Sequence, residues 1–109
     1  MSWTVKYLPE AVKDLRSLDG NPRKFVRKAI AKVSENLLPA SEGGFGKPLG
    51  NKNGNDLTGL LKIKLRSAGI RIVYKIISQD NDMVIIVIGA RADDEVYDIA
   101  KQRIKRHNI

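Results

Sequence analysis

The chain has 109 residues, 42% of them apolar, which is enough for one domain with a real core and too many for a disordered tail. It has no cysteine, so disulfides, thiolate nucleophiles and thiolate metal ligands are excluded. A formal net charge of +8 and a pI near 9.9 put nucleic acid first among possible partners, ahead of acidic protein and anionic membrane.

The opening residues, MSWTVKYLPEAVKDL, lack the apolar stretch of a signal peptide. The longest apolar run, Met83 to Ile88, is far too short to span a bilayer. A soluble, cytoplasmic protein with no membrane partner is expected. Trp3, Val5 and Tyr7 alternate with Thr4 and Lys6, the period of a half-buried strand. Pro9 suits the first turn of a helix, where its missing N–H costs nothing. Ala11, Val12, Leu15 and Leu18 give that helix an apolar face, which ends at Asp19-Gly20. Asn21 then reads as an N-cap, with Pro22 at the first helical position. Phe25, Val26, Ala29, Ile30, Val33 and Leu37 recur at helical spacing, while Arg23, Lys24, Arg27, Lys28 and Lys32 fall largely on the other face. The expectation is a helical hairpin closed by Pro39.

Residues 39–56 carry five glycines with Asn, Ser and two lysines and show no periodicity. This segment reads as one long, mobile surface loop. Beyond it the chain becomes strand-rich. Leu61, Ile63 and Leu65 alternate with Lys62, Lys64 and Arg66, Ser67-Ala68-Gly69 signals a turn, and Ile70 to Ile77 returns. Met83 to Ala90 is continuously apolar and β-branched, like a central strand covered on both faces. Asp93-Asp94-Glu95 opens a last helix, and Lys101, Arg103 and Lys105 lie toward its end, as the helix dipole favours. A single α+β domain over residues 1–109 is expected. Its order is β-α-α-β-β-β-α, its sheet is mostly antiparallel, and it has an N-terminal helical hairpin and a C-terminal helix.

With Ala68-Gly69 as the loop, Leu65 pairs with Ile72, Ile63 with Tyr74 and Leu61 with Ile76 on a core face. The other face pairs Arg66 with Arg71, Lys64 with Val73 and Lys62 with Lys75. It forms a strip of five cations: Lys62, Lys64, Arg66, Arg71 and Lys75. Like charges placed opposite one another destabilise a sheet, a cost that a bound polyanion would offset. The strip alone reads first as a solvated face whose aliphatic stems cover the sheet.

The segment Leu61-Lys62-Ile63-Lys64-Leu65-Arg66-Ser67-Ala68-Gly69-Ile70-Arg71-Ile72-Val73-Tyr74 closely resembles the central hairpin of RelE family toxins. The spacing onward to Gly89-Ala90-Arg91 and Glu95-Val96-Tyr97 matches the same family. The resemblance covers the C-terminal half strongly, and the N-terminal elements fit it in order and size. Leu61 departs from it, standing where many relatives carry an aromatic residue, as does the long glycine-rich loop.

The resemblance implies the toxin of a type II toxin-antitoxin system. Such an enzyme enters the ribosomal A site and cuts messenger RNA without metal or cofactor. The ribose 2′-oxygen attacks the adjacent phosphorus, leaving a cyclic phosphate and a free 5′-hydroxyl. A proton must leave the 2′-hydroxyl, charge on the phosphate must be stabilised, and the leaving oxygen must be protonated. The one histidine, His107, lies in the basic tail and reads as a surface residue. Lysine is the remaining candidate, because crowding by other cations weakens a lysine's hold on its proton.

By resemblance, Lys62 and Lys64 hold the base position, with Lys64 preferred. Arg71 clamps the phosphate with its planar fork, Arg91 neutralises or protonates the leaving group, and Tyr97 stacks on a base. Arg66 and Lys75 support the phosphate, and Lys47 and Lys52 touch RNA. Alternatives stay open: Arg91 as a strand cap or a partner of Asp94, Tyr97 as a helix residue packed on the sheet, and Lys47 and Lys52 as solubilising groups. Two competing functions also remain, a ParE-like gyrase inhibitor and a non-catalytic nucleic-acid-binding module. The implied partners are a cognate RelB-like antitoxin, the ribosome with its message, and operator DNA reached only as the toxin-antitoxin complex.

Overall fold

The structure is a computed structural model describing residues 4–35, 47–52, 55–65, 69–77, 80, 82–90 and 93–109. The chain runs β1 (Thr4–Tyr7), α1 (Pro9–Arg16), α2 (Gly20–Ser34), β2 (Lys47–Lys52), β3 (Asn55–Leu65), β4 (Ile70–Ile77), β5 (Asp82–Gly89) and α3 (Asp93–His107). The strands form one sheet in the order β1-β5-β4-β3-β2. Only the β1–β5 pair is parallel; the other three are antiparallel. The α+β class and the mostly antiparallel sheet agree with the sequence reading, with one strand more than expected.

That strand is β2, which lies inside the segment read as a mobile loop. Lys47–Lys52 pairs with β3 at the edge of the sheet, and the register shifts between Pro48 and Gly50. An edge strand tolerates a proline, which has no N–H to donate, and a glycine at an irregularity. These same residues erase the apolar alternation that marks a strand in sequence. Residues 36–46 and 53–54 of the expected loop and hairpin exit, including Leu37 and Pro39, lie outside the described residues.

Helix α1 begins at Pro9 and buries Ala11 and Leu15. It ends early, at Arg16, where the Ser17 hydroxyl donates to the Asp14 carbonyl at 2.7 Å. The Arg23 guanidinium then donates to the carbonyls of Leu18 and Arg16 at 2.8 and 3.2 Å, covering acceptors that a helix end leaves exposed. The N-cap of α2 is Asp19, not Asn21. Pro22 still falls among the first residues, whose N–H groups have no partner within the helix. The buried face of α2 is Val26, Ile30 and Val33. Phe25, expected in the core, is 52% exposed, because one residue is a 100° rotation away from Val26.

The β3–β4 hairpin keeps the expected faces but not the expected partners. Leu65 pairs with Ile70, Lys64 with Arg71, Ile63 with Ile72, Lys62 with Val73 and Leu61 with Tyr74. The loop therefore spans four residues rather than two, and the register moves by two. Gly69 closes it at φ +66, a left-handed conformation suited to glycine. Because side chains alternate with a period of two, this slip leaves every residue on its own face.

β5 is buried from Asp82 to Ile88, as expected of a strand between two neighbours. Helix α3 crosses the face that carries Lys62 and Val73. It contacts β3, β4 and β5 and brings Val96, Tyr97 and Ala100 into the core cluster. Val73, on the cationic face, is consequently fully buried. Helices α1 and α2 contact β1, β3 and β5 and join the same cluster. Each large aliphatic chain enclosed this way contributes about 1.5–3 kcal/mol.

Candidate active site

The register divides the cationic strip into three zones. At the hairpin end Lys64 faces Arg71, and both line a pocket of about 260 Å³ with Leu65, Gly69 and Ile70. Two cations directly opposite one another repel, so this rung keeps the like-charge cost expected at Arg66 and Arg71, two residues deeper in the ladder. Arg71 also faces Gly89 on its other side, so the end of β5, two residues before Arg91, lies beside the same rung.

The middle zone is covered. The Lys62 ammonium donates to the Tyr97 hydroxyl at 2.9 Å and lies 5.5 Å from the Tyr97 ring centroid. Tyr97 itself is 2% exposed. It packs on the sheet under α3, so no base can stack on it while α3 stays in place. On the other flank, Lys47 is the register partner of Lys62. At the far end the Lys75 ammonium donates to the main-chain oxygen of Ile109, well away from the Lys64–Arg71 rung. Lys52 pairs with Asn55 at the distal end of β2. Arg66 and Arg91 lie outside the described residues.

A second set of charged residues holds α3 in position, and the sequence reading missed it. β1 pairs with β5 only as far as Ile85, and the Leu8 N–H reaches the Ile85 carbonyl at 3.1 Å. Beyond that point the edge of β5 is completed by side chains. The Ile88 N–H donates to Asp14 Oδ2 at 3.1 Å, and Arg103 donates to the Ile86 carbonyl at 2.9 Å. Arg103 also forks onto both Asp14 oxygens at 2.6 and 3.2 Å. One turn earlier on α1, Glu10 accepts from Arg106 at 2.8 Å and meets His107 Nε2 at 2.9 Å. The Glu10 carboxyl is held at about 2, first by its own backbone N–H at the start of α1, then by His107 and Arg106, against an opposing effect of burial. His107 is thus a helix residue in an ion-pair cluster rather than a tail residue. The signal was present in sequence as acids at i, i+4 on α1 (Glu10, Asp14) and basic residues at matching spacing on α3 (Arg103, Arg106, His107).

On the opposite face, the Tyr74 ring is fully buried, and its hydroxyl has no hydrogen-bond partner among the described residues. Burial pushes its pKa up to about 12. Among the described residues no group of His, Asp and Glu side chains could hold a metal ion, and no helix is long and apolar enough to cross a membrane.

No protein-family model matches the chain. The mRNA interferase toxin RelE of Escherichia coli K12 is 32% identical over 107 residues, spanning 95% of this chain and 99% of the relative. The chain belongs to the RelE toxin family. Solved structures agree. An E. coli RelE variant in the free state superposes with a TM-score of 0.75 at 28% identity, over 95% of this chain and 99% of that one. The same toxin variant bound to a peptide of the antitoxin RelB superposes at 0.68 with 27% identity, over 92% and 95%. The sheet of this chain, with β1 beside β5 and α3 laid over the cationic face, is the frame in which Lys64 and Arg71 meet.

Proposed function

We propose that this chain is the toxin of a type II toxin-antitoxin pair, a cytoplasmic mRNA interferase that cleaves message bound in the ribosomal A site. The observation that supports it best is the rung at the hairpin end, where Lys64 and Arg71 stand opposite one another beside a pocket, at the end of β5 that leads to Arg91.

In this reading Lys64 takes the proton from the ribose 2′-hydroxyl as the 2′-oxygen attacks the adjacent phosphorus. Arg71 binds two of the phosphate's non-bridging oxygens with its planar fork, where negative charge grows as the fifth bond forms. The P–O5′ bond breaks, the leaving 5′-oxygen takes a proton from Arg91 or from a water that Arg91 holds, and a 2′,3′-cyclic phosphate remains. Lys62, Arg66 and Lys47 add positive potential along the incoming strand, with Lys75 and Lys52 at its margins. Tyr97 reaches a base only when α3 lifts from the sheet, which breaks its bond to Lys62. A cognate antitoxin with acidic and apolar helix surface is the expected partner, and operator DNA is reached through it.

The test is to map cut sites on translated message with wild type, Lys64→Ala, Arg71→Ala and Arg91→Ala. Loss of a proton carrier should slow cleavage by roughly 10² to 10⁴, with the fold retained. Wild-type protein that leaves the message intact, or that inhibits gyrase instead, would refute the nuclease reading.

A further inference from the structure

Helix α2 carries five cations, Arg23, Lys24, Arg27, Lys28 and Lys32, and no acid between Gly20 and Ser34. Arg23 has a structural task at the end of α1. Lys24, Arg27 and Lys28 are exposed, and Phe25, the one exposed large apolar side chain among the described residues, lies in the same outward arc. This arrangement works against the helix. Lys24 and Lys28, like Arg23 and Arg27, are like charges four apart, which weakens a helix, and Lys24 sits toward the positive end of the dipole. No acid on α2 offsets them. Half-buried Tyr7 of β1 stands close enough to Arg27 to feel its charge, so a second aromatic ring borders the patch.

We propose that the outward face of α2 is a docking surface for the phosphate backbone of an RNA duplex, separate from the cleavage site. Lys24 and Lys28 are one turn, or ~6 Å, apart along the axis, so they can meet successive phosphates. A-form RNA is recognised mainly through its backbone and shape, which a straight cationic helix can follow. A partner protein is the poorer fit: such interfaces have an apolar, charge-depleted core, and this face offers one large apolar side chain among cations. Helix α2 turns Val26, Ile30 and Val33 into the core and its cations outward, and the pocket at the Lys64–Arg71 rung is lined by β3, Gly69 and β4, so a scissile strand in the pocket does not compete for this surface. The inference rests on the nuclease reading only in giving the duplex a purpose, which is to hold the enzyme on structured RNA while the message is cut.

The experiment is anisotropy of short labelled RNA and DNA duplexes titrated with the full chain across a salt series. It compares wild type, the triple variant Lys24→Gln/Arg27→Gln/Lys28→Gln, and the charge-keeping variant Lys24→Arg/Lys28→Arg. The triple variant should bind the RNA duplex roughly tenfold more weakly at physiological salt, with a log–log salt slope shallower by about 2 to 3. The charge-keeping variant should match wild type. Unchanged RNA affinity and slope in the triple variant overturns the inference, as does a loss confined to DNA or to a purified antitoxin. Melting temperatures near wild type exclude misfolding as the cause. If wild type does not cut message, the nuclease reading fails while the duplex result still decides this one. If it cuts message and the triple variant binds RNA normally, only this inference fails.

Discussion

Removing the carboxylate of Asp14 should loosen the whole α1–α3 side of the molecule. Asp14 accepts three hydrogen bonds, two from Arg103 and one from the Ile88 N–H. Asp14→Ala leaves a strand N–H without its acceptor and a guanidinium without its counter-charge. Breaking a fully buried pair costs about 3–5 kcal/mol. The Arg103 and Asp14 side chains keep 14% and 20% of their surface, which lowers the expected loss to about 2–4 kcal/mol, since solvent screens part of the interaction. With a urea slope of about 1–1.5 kcal/mol per molar for a chain of this size, the unfolding midpoint should fall by about 2 M. Asp14→Asn, which keeps an acceptor for Ile88 but not the charge, should fall in between. Amide exchange read by NMR gives a residue-level check, because the Ile88 N–H should lose protection in the alanine variant. An alanine variant with a midpoint within roughly 0.5 M of wild type and a protected Ile88 amide would refute this reasoning.

Further outcomes are expected elsewhere. Tyr97→Phe should cost only about 1 kcal/mol, the worth of one hydrogen bond to Lys62, whereas Tyr97→Ala should cost about 3–5 kcal/mol by opening a cavity under α3; equal thermal stability for the two variants would show that the ring is not packed. Tyr74→Phe removes a buried hydroxyl that has no partner among the described residues, so its melting temperature should be unchanged or higher, and a clear drop would reveal a hidden bond. Glu10 has a lowered carboxyl pKa in the folded state, so its contribution is complete above the unfolded value of 4.5 and is lost as the pH falls toward 2. Melting curves of Glu10→Gln should accordingly lose stability less steeply than wild type between those values, and parallel acid limbs would contradict the pairing with Arg106 and His107.

Much of this fold was legible because its patterns are unambiguous. β5 reads as a covered strand from six consecutive apolar residues, and α3 from acids at its start and cations at its end. The failures have physical causes. β2 could not be seen because Pro48 and Gly50 break the alternation that burial would otherwise impose. The hairpin register could not be chosen from the pattern, because a shift of two preserves both faces; what decided it was a longer turn ending on Gly69. Phe25 reads inward with the apolar series at helical spacing, although one step around the helix from Val26 is enough to face solvent. At the candidate site, Lys64 and Arg71 share one face as the alternation predicts, but their standing directly opposite one another follows from the register, which the sequence reading placed two residues away. The burial of Tyr97 depended on where α3 lies, which is settled by Asp14, Glu10 and their partners far away in the chain.

Placing β1 next to β5 has a consequence for how the protein is made. The first strand finds its only neighbour near the other end of the chain, and Asp14 and Arg103 are 89 positions apart. Contacts so distant in sequence form late, because the intervening loop must close first. At synthesis rates of about 5–20 residues per second, Asp14 waits roughly 4 to 18 s for Arg103 to be added. During that interval the nascent chain lacks both the β1–β5 pair and the Asp14–Arg103 clasp that holds α3, so the frame around the cationic rung is complete only once the last helix is made.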